Sequence, residues 1–196
     1  DEFRDPEAAK TLVEQIHQIS KKPWVIMEVC GGQTHTILKY GIEELLPDSL
    51  TIVHGPGCPV CVTPLELIDK AIAIASEKDV ILTSFGDMLR VPGSHDDLLG
   101  IKAKGGDIRM VYSQLDAVKI AEKNPEQEIL FFCVGFETTS CVTAAEVVRT
   151  DLPNFSIYSS HKVVPPAMEL LLQRDDLEFD GFLAPGHVST IIGAKP

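Results

Sequence analysis

Cys58-Pro59-Val60-Cys61 has the most specific chemical spacing in the chain. Two residues between two sulfurs let them approach disulfide geometry, which is the pattern of a thiol-redox pair. Gly55 and Gly57 permit positive φ on the loop before it, while Pro56 and Pro59 stiffen it. Cys61 lies two residues before Thr63, which reads as a helix N-cap. The partial positive charge of a helix N-terminus favours a thiolate there. The competing reading is half of a structural zinc site. Such a site wants four ligands, and no second Cys-x-x-Cys occurs. The spacing therefore favours redox or transient metal duty.

Cys30 ends an apolar run and precedes two glycines, Gly31 and Gly32, so its backbone can be approached closely. His35 falls near the first turn of the following helix, after a Thr34 cap, and points back to the same rim. A buried cysteine beside a solvated histidine is the plain alternative. A nucleophile–base pair, with Asp87 or Glu137 orienting His35, is another. Cys133, in an apolar run, and Cys141, in a segment rich in Ala, Val and Thr, read as core residues. Glu137 at a helix start is most simply a favourable charge at the dipole. Asp87 and Arg90 are spaced to pair with each other. His161 and His187 read first as parts of rigid loops and second as lining of a cleft.

The elements that position these residues alternate between strand and helix. Apolar, β-rich runs cover residues 24–29, 50–53, 80–83, 108–112, 129–134, 155–158 and 179–184. Helical patterns lie between them. Asp5 before Pro6 fits an N-cap with proline at the first helical position, and Leu12, Val13, Ile16 and Ile19 then share one face. Thr63-Pro64-Leu65-Glu66 has capping-box form and opens a helix whose Leu65, Ile68, Ile72 and Ala75 face inward. Ser113 caps another that ends near Asn124-Pro125, and residues 137–150 and 165–173 form two more. Continuously apolar strands alternating with helices predict an α/β fold with parallel sheet flanked by helices. Asn124-Pro125-Glu126 is the best candidate seam. It divides the chain into a first α/β domain, 1–124, carrying the Cys30 and Cys58/Cys61 loops, and a second, incomplete one, 125–196. Nearly every unusual motif follows a strand, so the functional loops are expected at strand C-terminal ends, facing a cleft.

A formal net charge of −12 argues against nucleic acid, whose binding relies on Lys and Arg neutralising phosphates. No apolar run approaches the roughly 20 residues needed to span a bilayer, so no membrane partner is expected. The acidic, polar start does not read as a signal peptide. Five cysteines, three of them clustered on loops, suit a reducing compartment, and the expected location is cytoplasmic.

Five strings in order carry a resemblance. They are residues 27–35 (Met-Glu-Val-Cys-Gly-Gly-Gln-Thr-His), 55–61, 85–93, 135–139 and 185–189. Together they resemble the HypD family, which matures [NiFe] hydrogenases, and the likeness runs essentially from end to end. It implies a metal-centre assembly scaffold rather than a conventional turnover enzyme. Such a scaffold, with the small chaperone HypC, holds iron as a transient Fe(CN)2CO group, and the cyanide comes from HypE. By the same resemblance Cys30 is the iron anchor, shared with a cysteine of HypC. Cys58 and Cys61 pass electrons. His35 belongs to the same motif as Cys30, and His35, Gly31, Gly32, Asp87, Glu137 and His187 are the candidate lining of the cleft. A [4Fe–4S] cluster is expected only in the full-length family member, in a region beyond this sequence. A freestanding thiol–disulfide oxidoreductase using Cys58/Cys61 is the alternative, though it leaves the other rim motifs without a task. A cysteine hydrolase using Cys30 and His35 leaves Cys58 and Cys61 unexplained.

Overall fold

The computed structural model describes residues 4–193. In chain order the elements are α1 (Pro6–Ile19), β1 (Trp24–Glu28), α2 (Gly31–Lys39), α3 (Ile42–Leu45), β2 (Leu50–His54), α4 (Leu65–Ala75) and β3 (Val80–Ser84). A 3-10 turn, Met88–Arg90, leads to α5 (Leu98–Ala103), β4 (Asp107–Met110), α6 (Gln114–Lys123), β5 (Glu128–Gly135) and α7 (Glu137–Arg149). Then come β6 (Phe155–His161), α8 (Val164–Leu172), β7 (Gly181–Leu183) and α9 (Gly186–Ile192). Each apolar run of the sequence becomes a strand, and every strand pairing is parallel. The fold is α/β with two parallel sheets, and the chain divides into two compact units. The first takes the chain up to Cys58 and again from Pro166, and the second runs Pro59–Pro165.

In the first unit the sheet order is β2-β1-β7, with β1 central. Parallel pairing brings the C-terminal ends of all three strands to one edge, and the loops leaving that edge carry Cys30, His54 to Cys58, and His187. α1 starts as the Asp5-Pro6 pattern predicts: the Asp5 carboxylate accepts the N–H groups of Glu7 and Ala8. Its apolar residues do not form a buried face, and Leu12 and Ile19 are exposed.

In the second unit the order is β4-β3-β5-β6. The continuous apolar run of β5 follows from cover on both faces. Phe132 and Val134 pack with Ile68, Ala71 and Ala75 of α4 and Leu98 and Ile101 of α5. Phe131 and Cys133, pointing the other way, pack with Ala117 of α6. The seam expected at Asn124-Pro125 is not a boundary. It lies between α6 and β5, and β5 pairs directly with β3 from Val80↔Glu128 to Ser84↔Phe132. The proline only ends a helix. The turn is tied down by the Asn154 amide, which donates to the carbonyls of Ala121, Asn124 and Gln127.

Three local expectations need correction. The Thr63 hydroxyl does not cap α4. It donates to the Pro59 carbonyl at 2.9 Å and meets Ser160 Oγ at 3.3 Å, while Pro64 occupies the cap position. Leu65 is exposed, although Ile68 and Ala75 are buried. Cys141 is exposed on α7, whereas Cys133 is fully buried.

Candidate functional site

Cys30 stands where β1 gives way to α2, in extended backbone at the N-cap of a nine-residue helix. It makes no side-chain cap hydrogen bond, so its sulfur is not used to terminate the helix. The residue is buried, yet it lines a pocket of about 310 Å³ with Gly32, Gln33, Leu183, Gly186 and His187 among the other walls. Gln33 donates from its amide nitrogen to the Ala184 carbonyl at 3.1 Å. Its buried amide oxygen has no partner.

The loop after β2 is packed onto Cys30. Gly31 N–H donates to the Gly57 carbonyl at 2.9 Å. A Cβ added at Gly31 would lie 3.7 Å from Cys58 Cβ, and one added at Gly57 would strike the Cys30 backbone. Neither Gly55 nor Gly57 adopts positive φ, so close approach rather than left-handed backbone requires them.

Beneath the cysteine sits Glu28, the last residue of β1, with a side chain fully removed from solvent. Its Oε2 accepts the Cys30 N–H at 2.9 Å. Its Oε1 accepts the Thr34 hydroxyl and faces His54 Nδ1 at 2.8 Å. His54 Nε2 lies 3.0 Å from Glu43 Oε1 on α3. Burial alone would raise the Glu28 pKa. The hydrogen bonds from Thr34, Cys30 and His54, with the charge of His54, outweigh it and hold the carboxyl below its ordinary value. Thr34 therefore serves Glu28 from inside α2 rather than capping it.

Of the residues named from sequence, Cys30, Gly32 and His187 share one pocket, and Gly31 lies against Cys58. His35 is exposed on α2 and is not among the pocket-lining residues. The boundary between the units falls inside the Cys-x-x-Cys motif: Cys58, half-buried, belongs to the first and Cys61, exposed, to the second. Asp87 and Glu137 also belong to the second unit. Asp87 is exposed, and among the described residues no ion pair joins it to Arg90. Glu137 is buried at the first position of α7. Its Oε1 accepts the Val164 N–H at 2.7 Å and its Oε2 has no partner. Nearby, Cys133 Sγ lies 3.8 Å from His161 Nδ1. Burial pushes the Cys133 thiol up to about 11 and holds the His161 ring below the usual range. A thiol so raised is a neutral packing group at physiological pH.

Sequence reasoning missed Glu28, His54 and Gln33 as site residues. The signal for Glu28 was available: a lone carboxylate inside the run Met27-Glu28-Val29, where continuous apolarity is expected. Among the described residues no three His, Cys, Asp or Glu side chains are grouped to hold a metal ion, and no helix is long and apolar enough to cross a membrane.

Comparison with known proteins identifies the family. A family model for HypD, described as "Hydrogenase formation hypA family", matches residues 7–196. The chain belongs to the HypD family. It is 49% identical to the hydrogenase maturation factor HypD2 of Bradyrhizobium diazoefficiens, with 100% of the chain and 55% of that protein aligned. It is 47% identical to the hydrogenase maturation factor HypD of Rhodobacter capsulatus, covering 100% of the chain and 54% of the relative. With HypD of Escherichia coli strain K12 the identity is 44%, over 98% of the chain and 54% of the relative. The chain thus spans about half the length of the curated relatives it matches.

Proposed function

We propose that this HypD-family chain acts in hydrogenase maturation, as the part of a cytoplasmic scaffold that holds iron while its cyanide and carbonyl ligands are attached. The observation that carries the reading is the Cys30 pocket. Cys30, whose thiol makes no cap hydrogen bond, lines about 310 Å³ of space together with Gly32, Gln33, Gly186 and His187. Soft thiolate suits low-spin iron bearing strong-field ligands. Cys30 is the proposed ligand from this chain, and a cysteine of HypC is the proposed second. HypE is the proposed cyanide donor.

Cys58 and Cys61 supply electrons in this reading. Closing them to a disulfide releases two electrons and two protons, and reduction reverses it. What supports this is proximity: a Cβ added at Gly31, the residue after Cys30, would lie 3.7 Å from Cys58 Cβ. The remaining length of the relatives is the proposed location of a [4Fe–4S] cluster that would exchange electrons with the dithiol. The reading is tested by anaerobic purification of the full-length protein with HypC, followed by metal analysis and infrared spectroscopy. Iron with cyanide and carbonyl stretches is the expected result. A stoichiometric complex without iron would contradict it.

A further inference from the structure

We propose that Glu28 is a positioning residue: it fixes Cys30 through the backbone N–H, so that neither the Cys30 thiol nor the Gln33 side chain is needed for capping and both residues keep their places in the pocket wall. This deepens the iron-anchor reading of Cys30 and rests on it only for the identity of what enters the pocket.

The argument starts from what a helix N-terminus requires. The first backbone N–H groups of a helix have no partner within it. In the usual reciprocal arrangement the N-cap side chain bonds the third residue's N–H, and the third residue's Glu or Gln side chain returns to the N-cap N–H. Cys30 holds the N-cap position of α2, and Gln33 is the third residue. Neither side chain does this work. Cys30 makes no cap hydrogen bond, and Gln33 is turned to Ala184. The N–H of Cys30 is satisfied by Glu28 Oε2, from the strand below. The strand thus takes over the duty that would otherwise draw Gln33 out of the pocket wall.

The carboxylate is held from two further directions. Thr34, one turn into α2, and His54, its register partner on β2, both meet Oε1. His54 is in turn braced by Glu43 on α3. Strand, neighbouring strand and helix therefore converge on one group whose other oxygen sets the Cys30 backbone. A buried carboxylate is a costly way to fill a sheet position. An apolar residue would serve as well if packing were its only task, and its neighbours Met27 and Val29 are buried and apolar.

The test is the rate at which iodoacetamide labels Cys30 in the full-length protein, followed by peptide mass mapping, with Cys133 as an internal reporter. Cys133 is fully buried in the second unit, so its labelling reports opening of that core. Glu28→Gln keeps the shape but replaces one accepting oxygen with a donor. It is expected to raise the Cys30 rate about tenfold, the effect of losing one buried hydrogen bond on local opening, with Cys133 within about twofold of wild type. Glu28→Asp, which keeps the charge but shortens the reach, is expected to fall between the two. Should Glu28→Gln not accumulate as folded protein, Thr34→Val carries the test, with an expected rise of about threefold at Cys30 alone. A Cys30 rate unchanged within about twofold would overturn the proposal. So would a Cys30 rise matched by faster amide exchange throughout the first unit's sheet, or by a rise at Cys133, either of which would make Glu28 a general stabiliser. Iron takes no part in this measurement, so its outcome stands apart from that of the iron reading.

Discussion

The backbone of Cys30 occupies the space in which Gly57 would carry a side chain: a Cβ on Gly57 would lie 2.4 Å from Cys30 N and 2.6 Å from its Cα. Gly31, on the same seam, is different. Its added Cβ would make ordinary contact, 3.5 Å from the Gly57 carbonyl oxygen. Gly57→Ala is therefore expected to destabilise the protein by about 2–3 kcal/mol and to displace the Cys30 loop. Gly31→Ala, at the first position of a helix, is expected to change stability by no more than about 1 kcal/mol. Denaturant unfolding of both variants checks this. Equal losses would show that glycine is needed on this loop for a reason other than space.

Cys58 and Cys61 are expected to interconvert between dithiol and disulfide under mild oxidant. Their spacing permits the bond. Differential thiol labelling with and without reductant, read by peptide mapping, should show the two changing together. Two thiols that never pair under any mild oxidant would remove the electron-transfer part of the proposed function.

Cys133 makes a prediction about alkaline stability. Burial lifts its thiol from 9.0 to about 11. Between those values the unfolded chain has lost this proton while the folded chain keeps it, so stability falls as pH rises through the window and is intact below it. The loss by pH 11 should be on the order of 2–3 kcal/mol. Other groups titrate there too, so the measurement is a difference. Denaturation midpoints of wild type and Cys133→Ala, followed from pH 8 to pH 11, should converge as pH rises. Parallel curves would show that the thiol is not held neutral by the fold.

The strands were legible in the sequence because both faces of the second sheet are covered, which leaves runs such as 129–134 apolar throughout. The placement of Cys30, Gly32 and His187 on one edge was legible too, since parallel strands deliver their C-terminal ends to the same side. Asn124-Pro125 misled because a proline that ends a helix looks the same in sequence whether a linker or a tight turn follows. The division of the chain was hidden because the first unit recruits β7 from far along the sequence, and no local pattern marks such a return. Thr63 and Thr34 have the composition of caps, but their hydroxyls go to Pro59 and Glu28, partners fixed only by tertiary structure. Glu28 stands out in sequence only as a carboxylate in an apolar run; its role lies in three donors from two neighbouring elements and its own loop, which no local pattern shows.

Cys30 is the proposed iron anchor, and the sharpest test is Cys30→Ala in the full-length protein co-purified with HypC. Loss of one small buried side chain should cost about 1–2 kcal/mol, leaving a folded protein with a modestly lowered Tm. Iron content and the cyanide stretches should disappear together, because water does not replace a thiolate as a ligand for soft, low-spin iron. A folded Cys30→Ala complex that keeps both its iron and its infrared bands would mean that the anchor lies elsewhere.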